Sequence, residues 1–348
     1  MSAHRWLREG RARLLFLTAL LTALLFMLTP PLAREEERLY HKLEAAQSFL
    51  WEELDRRGLE RDEAADPYHS GFIGLEWSLT TTTLGSLEAK RCSTDPLWAV
   101  QMLRWFDKLG LKKGDRIAVL ASSSFPGLVC SVLAAAEERG LDVALGVSLG
   151  ASTWGANRPQ LPWPSLAAIL RRGGFLRTQP VLYTLGGNNE NGGGLTEEAR
   201  ELLTTAAVRD GLAPLQNKTL EEAIDAKMRL VQNARLVISV GGSEANLGED
   251  PGVLQLPPGL LMPRFGGRNL TSHGTGLIGL ALERGYPVIH LLNLRSLADA
   301  CGIAWDTRRP GFSNRGPLAA ALGVGLFILF MATHRRWSWE EADSAERS

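Results

Sequence analysis

Residues 114–127 read GDRIAVLASSSFPG, and this stretch decides the fold that we expect. The run 116–121 is short and apolar, as in a strand that is buried on both faces. The loop at 122–127 (SSSFPG) leads into a helix that ends at Gly140. A strand, a loop of small residues and a helix in this order form the unit of a parallel sheet covered by helices.

The same order recurs along the chain. Further strands are expected at residues 143–147, 180–185, 235–240 and 288–292, with helices between them. Thr219 and Glu222 have the spacing of a capping box at the start of one of these helices. The sequence therefore predicts an α/β fold, with a mostly parallel sheet and helices on both faces.

The segment 34–58 precedes this alternation and carries an apolar stripe at helical spacing. Its members are Leu39, Leu43, Ala46, Leu50 and Leu54. Three- and four-residue steps place them on one face of a helix. We expect a helical stalk that docks on the domain or on a partner.

Two uncharged apolar runs, at residues 14–33 and 316–333, bracket the polar middle of the chain. Each is long enough to cross the ~30 Å hydrocarbon core of a bilayer as a helix. Arginines precede the first run and follow the second, which favours both termini on the cytoplasmic side. A cleaved signal peptide is the alternative for the first run, and a buried core helix for the second.

These runs give the expected domain organisation. It comprises a cytoplasmic tail (1–13), a transmembrane anchor (14–33), a stalk (34–58), an extracytoplasmic α/β domain (59–315), a transmembrane helix (316–333) and a second cytoplasmic tail (334–348). The expected location is the bacterial cytoplasmic membrane, with the main domain outside.

Composition narrows the choice of partners. Lys plus Arg and Asp plus Glu are 38 each, so the overall charge gives no indication of a nucleic-acid partner. Cys92, Cys130 and Cys301 fit no zinc spacing and allow at most one disulfide, so we expect buried small apolar residues. No cluster has metal-ligand spacing and no phosphate-binding GxxxxGK[ST] motif occurs, so neither a metal nor a cofactor is expected.

Four predicted strands end in loops of Gly, Ser and Asn, at residues 122–127, 148–152, 186–194 and 241–246. The carboxyl ends of parallel strands line the ligand crevice of such a sheet. Helix starts after these loops favour a carboxylate or a phosphate. The alternative is that Gly and Asn only make turns. Candidate ligand-binding residues are Ser122, Ser123, Ser124, Asn188, Asn189, Glu190, Ser243, Asn246, Arg264 and Arg268.

Catalytic candidates exist only if the protein is an enzyme. Ser124 and Ser243 follow strands where a nucleophile is often presented, but the Gly-x-Ser-x-Gly motif is absent, and both also suit a helix cap. His273 is a candidate base or anion contact. Glu190 and Glu244 each follow a Gly-rich turn and are candidates to share acid and base roles.

Taken whole, the chain resembles the poly-gamma-glutamate system protein family, a membrane component of bacterial systems that make and export poly-γ-glutamate. The resemblance rests on the order, across nearly the full length, of the N-terminal anchor, five segments and the C-terminal anchor. The five segments are SLEAKRCSTDPLWA (86–99), GDRIAVLASSSFPG (114–127), VSLGASTWGAN (147–157), LYTLGGNNENGGGL (182–195) and ISVGGSEANLG (238–248).

This resemblance implies a process and not a reaction. The expected function is a component that binds the polymer or scaffolds its synthase and exporter, with other membrane subunits as partners. The alternatives are an extracytoplasmic hydrolase or transferase acting on the γ-glutamyl polymer, and an envelope module that binds a carboxylated solute. The absent ATP-binding motif argues against the amide ligase itself.

Overall fold

The computed structural model describes residues 32–263 and 275–306. Residues Glu36–Arg309 group as one compact unit. A second unit, Met1–Glu35 with Pro310–Ser348, lies almost wholly outside the described residues.

Eight strands occur in the described residues. In chain order they are β1 (Thr81–Thr83), β2 (Arg116–Ser122), β3 (Asp142–Ser148), β4 (Ala151–Ser152), β5 (Pro180–Thr184), β6 (Leu236–Val240), β7 (Gly259–Leu261) and β8 (Val288–Leu291). Six of them form one sheet in the order β5-β3-β2-β6-β8-β7. All its neighbours are parallel except β7, which runs antiparallel to β8. The predicted α/β fold with a mostly parallel sheet is confirmed.

Helices connect and cover these strands. In chain order they are α1 (Arg34–Arg56), α2 (Leu87–Ser93), α3 (Leu97–Lys108), α4 (Pro126–Arg139), α5 (Trp163–Arg172), α6 (Glu197–Arg209), α7 (Leu220–Val231), α8 (Glu244–Leu247), α9 (Leu277–Glu283) and α10 (Leu294–Cys301). A 3-10 turn covers Pro251–Gln255. Helix α4 ends at Gly140, whose φ of +69° is the left-handed conformation that suits glycine, as the sequence predicted.

The sheet has a separate core on each face because side chains alternate along a strand. Ile117 and Val119 of β2 belong to the larger core, which also holds the buried sides of α1, α3 and α4. Ala118 and Leu120 belong to the smaller core, under α7 and α9. Central strands buried on both faces explain why β2 and its neighbours read as continuous apolar runs.

The predicted apolar stripe at 34–58 forms helix α1. Its five stripe residues are buried in the larger core of the domain. The helix therefore contacts the domain along its length instead of standing apart from it. Its outer face is held by ion pairs, among them Arg104 to Glu36 at 2.7 Å.

The expected fold class included a transmembrane helix at each end, and this part of the expectation is corrected. Across residues 32–263 and 275–306, none of the helices combines the length and the apolar character that crossing a bilayer requires. The 23-residue helix α1 is long enough, but Glu and Arg residues cover one of its sides, and it buries only the other. The runs at 14–33 and 316–333 lie outside the described residues, apart from Leu32 and Ala33.

Strand order reverses between β2 and β6. From β2 the chain passes through α4 to β3 and then through α5 to β5, always on the side of the larger core. It then returns past α7 to β6, on the other side of β2, and reaches β8 through α9 over the smaller core. The loops after β2 and β6 thus diverge at a topological switch point, the usual ligand position in such sheets.

Candidate functional site

The loops after β2, β3, β5 and β6 lie at one edge of the sheet because these strands are parallel. The register aligns the hydroxyl residues at the strand ends. Ser122 pairs with Ser148, and Ser148 pairs with Thr184. A row of hydroxyl groups thus crosses three neighbouring strands at the carboxyl edge.

Lys227 lies under this edge and joins three of the loops. It sits on the apolar face of α7 and is fully buried. Its Nζ donates to Ser148 Oγ, Glu190 Oε1 and Ser243 Oγ, each at 3.0 Å, and to Asn246 Oδ1 at 3.2 Å. The loops after β3, β5 and β6 are therefore held by one ammonium group.

Glu190 is the anionic partner of Lys227 and is equally buried. Ser148 donates to its Oε2 at 2.7 Å, Thr184 does so at 2.5 Å, and the Ala245 N–H donates to Oε1 at 3.2 Å. Burial by itself raises the pKa of Glu190, but Lys227 and the two hydroxyls outweigh burial and lower that pKa. Glu190 is thus an ionised structural carboxylate with its oxygens already in use, which does not suit a general acid.

Glu244 has a different environment. Its carboxylate is partly exposed and accepts a hydrogen bond from the Asn189 N–H. Asn188 and Gly193 exchange two backbone hydrogen bonds, of 3.0 and 3.2 Å, which close the Gly-rich loop on itself. Asn188 and Asn189 are exposed on this loop, so they lie at the rim of the edge.

Lys90, on α2, is a second buried lysine at the carboxyl edge, and its exposure is 1%. Its Nζ lies 2.7 Å from Ser152 Oγ, 2.5 Å from the Ser124 carbonyl oxygen and 3.6 Å from the Phe125 ring centroid. Burial lowers the pKa of Lys90 to about 7. None of the described carboxylates forms an ion pair with it, in contrast to Lys227.

The three consecutive serines after β2 have separate roles. Ser122 Oγ donates to Ser124 Oγ at 3.0 Å, and the Ser152 N–H donates to the same oxygen at 3.0 Å. Ser123 Oγ donates instead to the Ser148 carbonyl oxygen at 2.8 Å. Ser124 therefore connects the loop after β2 to the loop after β3, beside Lys90.

Phe125 lies across the switch point. Its side chain is half-buried, and a Cβ on Gly241 would come within 3.2 Å of its ring and of Ser122 Cβ. Gly241 has a φ of +77°, so the loop after β6 turns sharply at this place. The loops after β2 and β6 therefore lie close together at this point, with the Phe125 ring against Gly241.

Three predicted site residues, Arg264, Arg268 and His273, lie outside the described residues. Pairing of His273 with Ser124 or Ser243 consequently stays a prediction. In the structure, Ser243 contacts Lys227 and Ser124 lies beside Lys90. No group of three or more His, Cys, Asp or Glu suited to a metal ion occurs in the part of the chain that is described.

The three thiols are free. Cys92 and Cys130 are buried, and Cys301 is partly exposed. Burial raises the pKa of both Cys92 and Cys130 to about 12. They act as small apolar residues and not as nucleophiles.

An open cleft of about 690 Å³ lies on the outer side of the Gly-rich loop. Asn191, Arg200, Gln216 and Asn217 are among the residues that line it, and none of the predicted ligand-binding residues with a described position does. This cleft is a separate place from the switch point.

Sequence reasoning missed both buried lysines. The apolar stripe of α7 contains a signal for one of them, since Lys227 falls between Ile224 and Met228 on its buried face. Lysines are rarely fully buried without a partner, so a lysine in an apolar stripe indicates a buried anion. Lys90 has no such signal, because α2 is only seven residues long.

Comparisons with known proteins add little to this geometry. No protein-family model matches the chain, and no curated protein matches it. One solved structure, a fatty acid ABC transporter substrate-binding protein from Thermomonospora curvata, is similar at 16% identity with a TM-score of 0.13. The match covers 47% of this chain and 57% of that protein, and a likeness of this size carries no argument about function.

Proposed function

We propose that this protein binds a carboxylated ligand at the switch point between β2 and β6, and that the ligand is poly-γ-glutamate. Its role would be that of a component in a bacterial system that makes or exports this polymer. The observation that carries the binding proposal is the reversal of strand order at loops rich in Gly and Ser. Open α/β sheets bind their ligands at this position.

The chemistry of the switch point suits an anion. Ser124 supplies a hydroxyl group, since Ser122 donates its own proton to Ser124, and helix α4 begins two residues later, at Pro126. The first N–H groups of a helix and its dipole favour negative charge. A γ-linked glutamate chain carries one free carboxylate on each residue, which matches this preference.

The loops around the switch point are tied together by buried polar contacts. The ion pair of Lys227 and Glu190 ties the loops after β3, β5 and β6 to each other. A preformed rim lowers the entropic cost of ordering loops when a ligand binds. This supports a binding role for the edge as a whole.

The assignment to poly-γ-glutamate, and to the cell envelope, rests on the resemblance of the five sequence segments. The two parts of the proposal therefore need separate experiments, one on binding and one on the process.

Binding is tested with fluorescent glutamate oligomers of equal length, one γ-linked and one α-linked, by anisotropy with the full-length protein. We expect the γ-linked oligomer to bind at least about tenfold more tightly, a difference of about 1.4 kcal/mol. Equal affinity would mean that only charge is recognised and would contradict the proposal.

A blocking variant locates the site. Gly242 is exposed in the loop after β6 and its φ is not left-handed, so Gly242→Trp adds bulk to this loop, next to Leu247 and Leu292, without backbone strain. The matched control is Val208→Trp, at a 55% exposed position on α6. We expect about tenfold weaker binding in the first variant and unchanged binding in the second.

The process is tested by deleting the gene and measuring cell-bound and released poly-γ-glutamate. We expect at least one of the two fractions to change. Unchanged polymer in both would remove the assignment to this system and leave the binding measurement standing on its own.

A further inference from the structure

Lys90 and Ser152 form a buried hydrogen-bonded pair at the carboxyl edge, and the proposed binding of an anion makes no use of this pair. Lys90 Nζ lies 2.7 Å from Ser152 Oγ, and the two residues are 1% and 4% exposed. They come from distant parts of the sequence. Parallel pairing of β1 with β4, in which Thr83 lies opposite Ser152, brings the start of α2 over the loop after β3.

We infer that Ser152 and Lys90 are a nucleophile and its general base for acyl transfer on an amide or ester bond, at the carboxyl edge beside Phe125. That the substrate is a γ-glutamyl amide rests on the proposed function. The assignment of Ser152 as nucleophile and Lys90 as base rests on the geometry around Lys90 and does not depend on the proposed function.

The surroundings of Lys90 accommodate both of its protonation states. As an ammonium, Nζ donates to Ser152 Oγ, to the Ser124 carbonyl and toward the Phe125 ring. As a neutral amine, it keeps two N–H groups for the carbonyl and the ring, and its lone pair accepts the Ser152 proton. A general base needs both states within reach near working pH.

Burial supports the neutral form. It lowers the pKa of Lys90 to about 7, and no carboxylate among the described residues offsets this shift. The lowered pKa raises the neutral fraction of Lys90 near neutral pH. Lys227, by comparison, is bound to Glu190 and is unsuited to accept a proton.

The reaction balances with water as the only co-reactant. Ser152 Oγ forms a bond to the carbonyl carbon while its proton passes to neutral Lys90 Nζ. The carbon–nitrogen or carbon–oxygen bond of the substrate then breaks, and the leaving group takes the proton from Lys90. Water attacks the acyl-serine, Lys90 accepts and returns its proton, and the free acid and Ser152 are regenerated.

Ser124 supplies a hydrogen-bond donor for the developing oxyanion. Its Oγ accepts from Ser122 Oγ and from the Ser152 N–H, so its own proton is left to point at a substrate oxygen. Donors of this kind stabilise the charge that forms on the carbonyl oxygen.

Gly85 packs directly against the pair. A Cβ at this position would lie 2.9 Å from Ser152 Oγ and 3.2 Å from Lys90 Cε. The backbone at Gly85 is not left-handed, so an alanine is tolerated there by the main chain. Gly85→Ala therefore crowds the pair, so that the Ser152 or Lys90 side chain must shift, while it keeps both proposed residues.

The test is labelling of the full-length protein with a fluorophosphonate, which loses fluoride as the serine oxygen bonds to phosphorus. The modified residue is identified by mass spectrometry. We expect Ser152 to be labelled at a rate that rises with pH through about 7, as Lys90 loses its proton. Absence of labelling at Ser152 in folded protein would overturn the inference.

Variants separate catalysis from a structural role. Lys90→Met should slow labelling by about a hundredfold or more and abolish its pH dependence, since a general base typically contributes 10²–10⁴-fold. Gly85→Ala should slow labelling and keep the pH dependence, and Ser165→Ala on α5 should match the unaltered protein. A Lys90→Met rate within about threefold of the unaltered rate would contradict the base role.

The substrate is tested separately, by following the length of a γ-linked glutamate oligomer. Shortening that is lost in Ser152→Ala, together with retained binding of the oligomer by that variant, supports both proposals. If Ser152 is labelled but the oligomer neither binds nor shortens, the nucleophile stands and the poly-γ-glutamate assignment is wrong. If the oligomer binds and Ser152 resists labelling, the binding proposal stands and the catalytic inference is wrong.

Discussion

The ion pair under the carboxyl edge gives the sharpest stability prediction, for Lys227→Met. This change removes an ammonium that donates to four groups, including Glu190 Oε1 at 3.0 Å. Glu190 is left as a fully buried carboxylate without its cation. Removing one partner of a buried pair typically costs about 3–5 kcal/mol. Because Ser148 and Thr184 still donate to Glu190, we expect a loss of about 4 kcal/mol.

The assay is urea denaturation of the full-length protein, followed by tryptophan fluorescence. The double variant Lys227→Met with Glu190→Gln has no uncompensated charge, so it should recover to within about 2 kcal/mol of the unaltered protein. Lys218→Met, at an exposed position next to α7, is the matched control and should change stability by less than about 0.5 kcal/mol. A loss below about 1 kcal/mol in Lys227→Met would refute the argument that this pair holds the loops.

Three further predictions follow from burial. Burial lowers the pKa of Lys90 from its ordinary value of 10.5 to about 7 in the folded protein. Between pH 7 and pH 10.5 the unfolded chain therefore holds a proton on Lys90 that the folded protein lacks. The free energy of unfolding should therefore rise with pH across this window, by up to about 5 kcal/mol relative to Lys90→Met, in urea titrations at several pH values. Burial likewise lowers the pKa of His290 from 6.5 to about 4, so stability should fall as pH drops through this range, by up to about 3 kcal/mol, and His290→Leu should remove that slope. In native protein, an aromatic disulfide reagent should modify Cys301 before the buried Cys92 and Cys130, and equal rates for all three would contradict their burial.

Strands and their loops were predictable from the sequence because a buried parallel strand leaves a continuous apolar run. The run 116–121 became β2 (Arg116–Ser122), and the serines after it lie at the carboxyl edge as the pattern indicates. The capping box at Thr219 was also predictable, and its side chain accepts from the Glu222 N–H at 3.3 Å. These features depend on neighbours in sequence.

The short strands were not predictable from the sequence, because their pairing depends on residues that are distant in the chain. Strand β7 is only three residues long, and β1 pairs with β4 over a separation of about seventy residues. No local period marks a strand of two or three residues, since its ladder depends on the partner alone.

The candidate site was only partly predictable. The loops were identified, but the groups that connect them were not, because Lys90 meets Ser152 across 62 residues and Lys227 meets Glu190 across 37. Glu190 shows how the burial of a side chain depends on a contact with a distant residue. A carboxylate after a Gly-rich turn suggests exposure, whereas the turn folds this side chain inward onto Lys227.

Photo-crosslinking locates the bound ligand and so tests whether the switch point is its binding site. A γ-linked glutamate oligomer with a photoreactive end group is bound to the full-length protein, irradiated and mapped by mass spectrometry. We expect crosslinks in residues 122–125 and 241–246, on both sides of the switch point, and a loss of these crosslinks in Gly242→Trp. Crosslinks confined to the cleft beside Arg200, or equal in amount for an α-linked oligomer, would contradict the binding proposal.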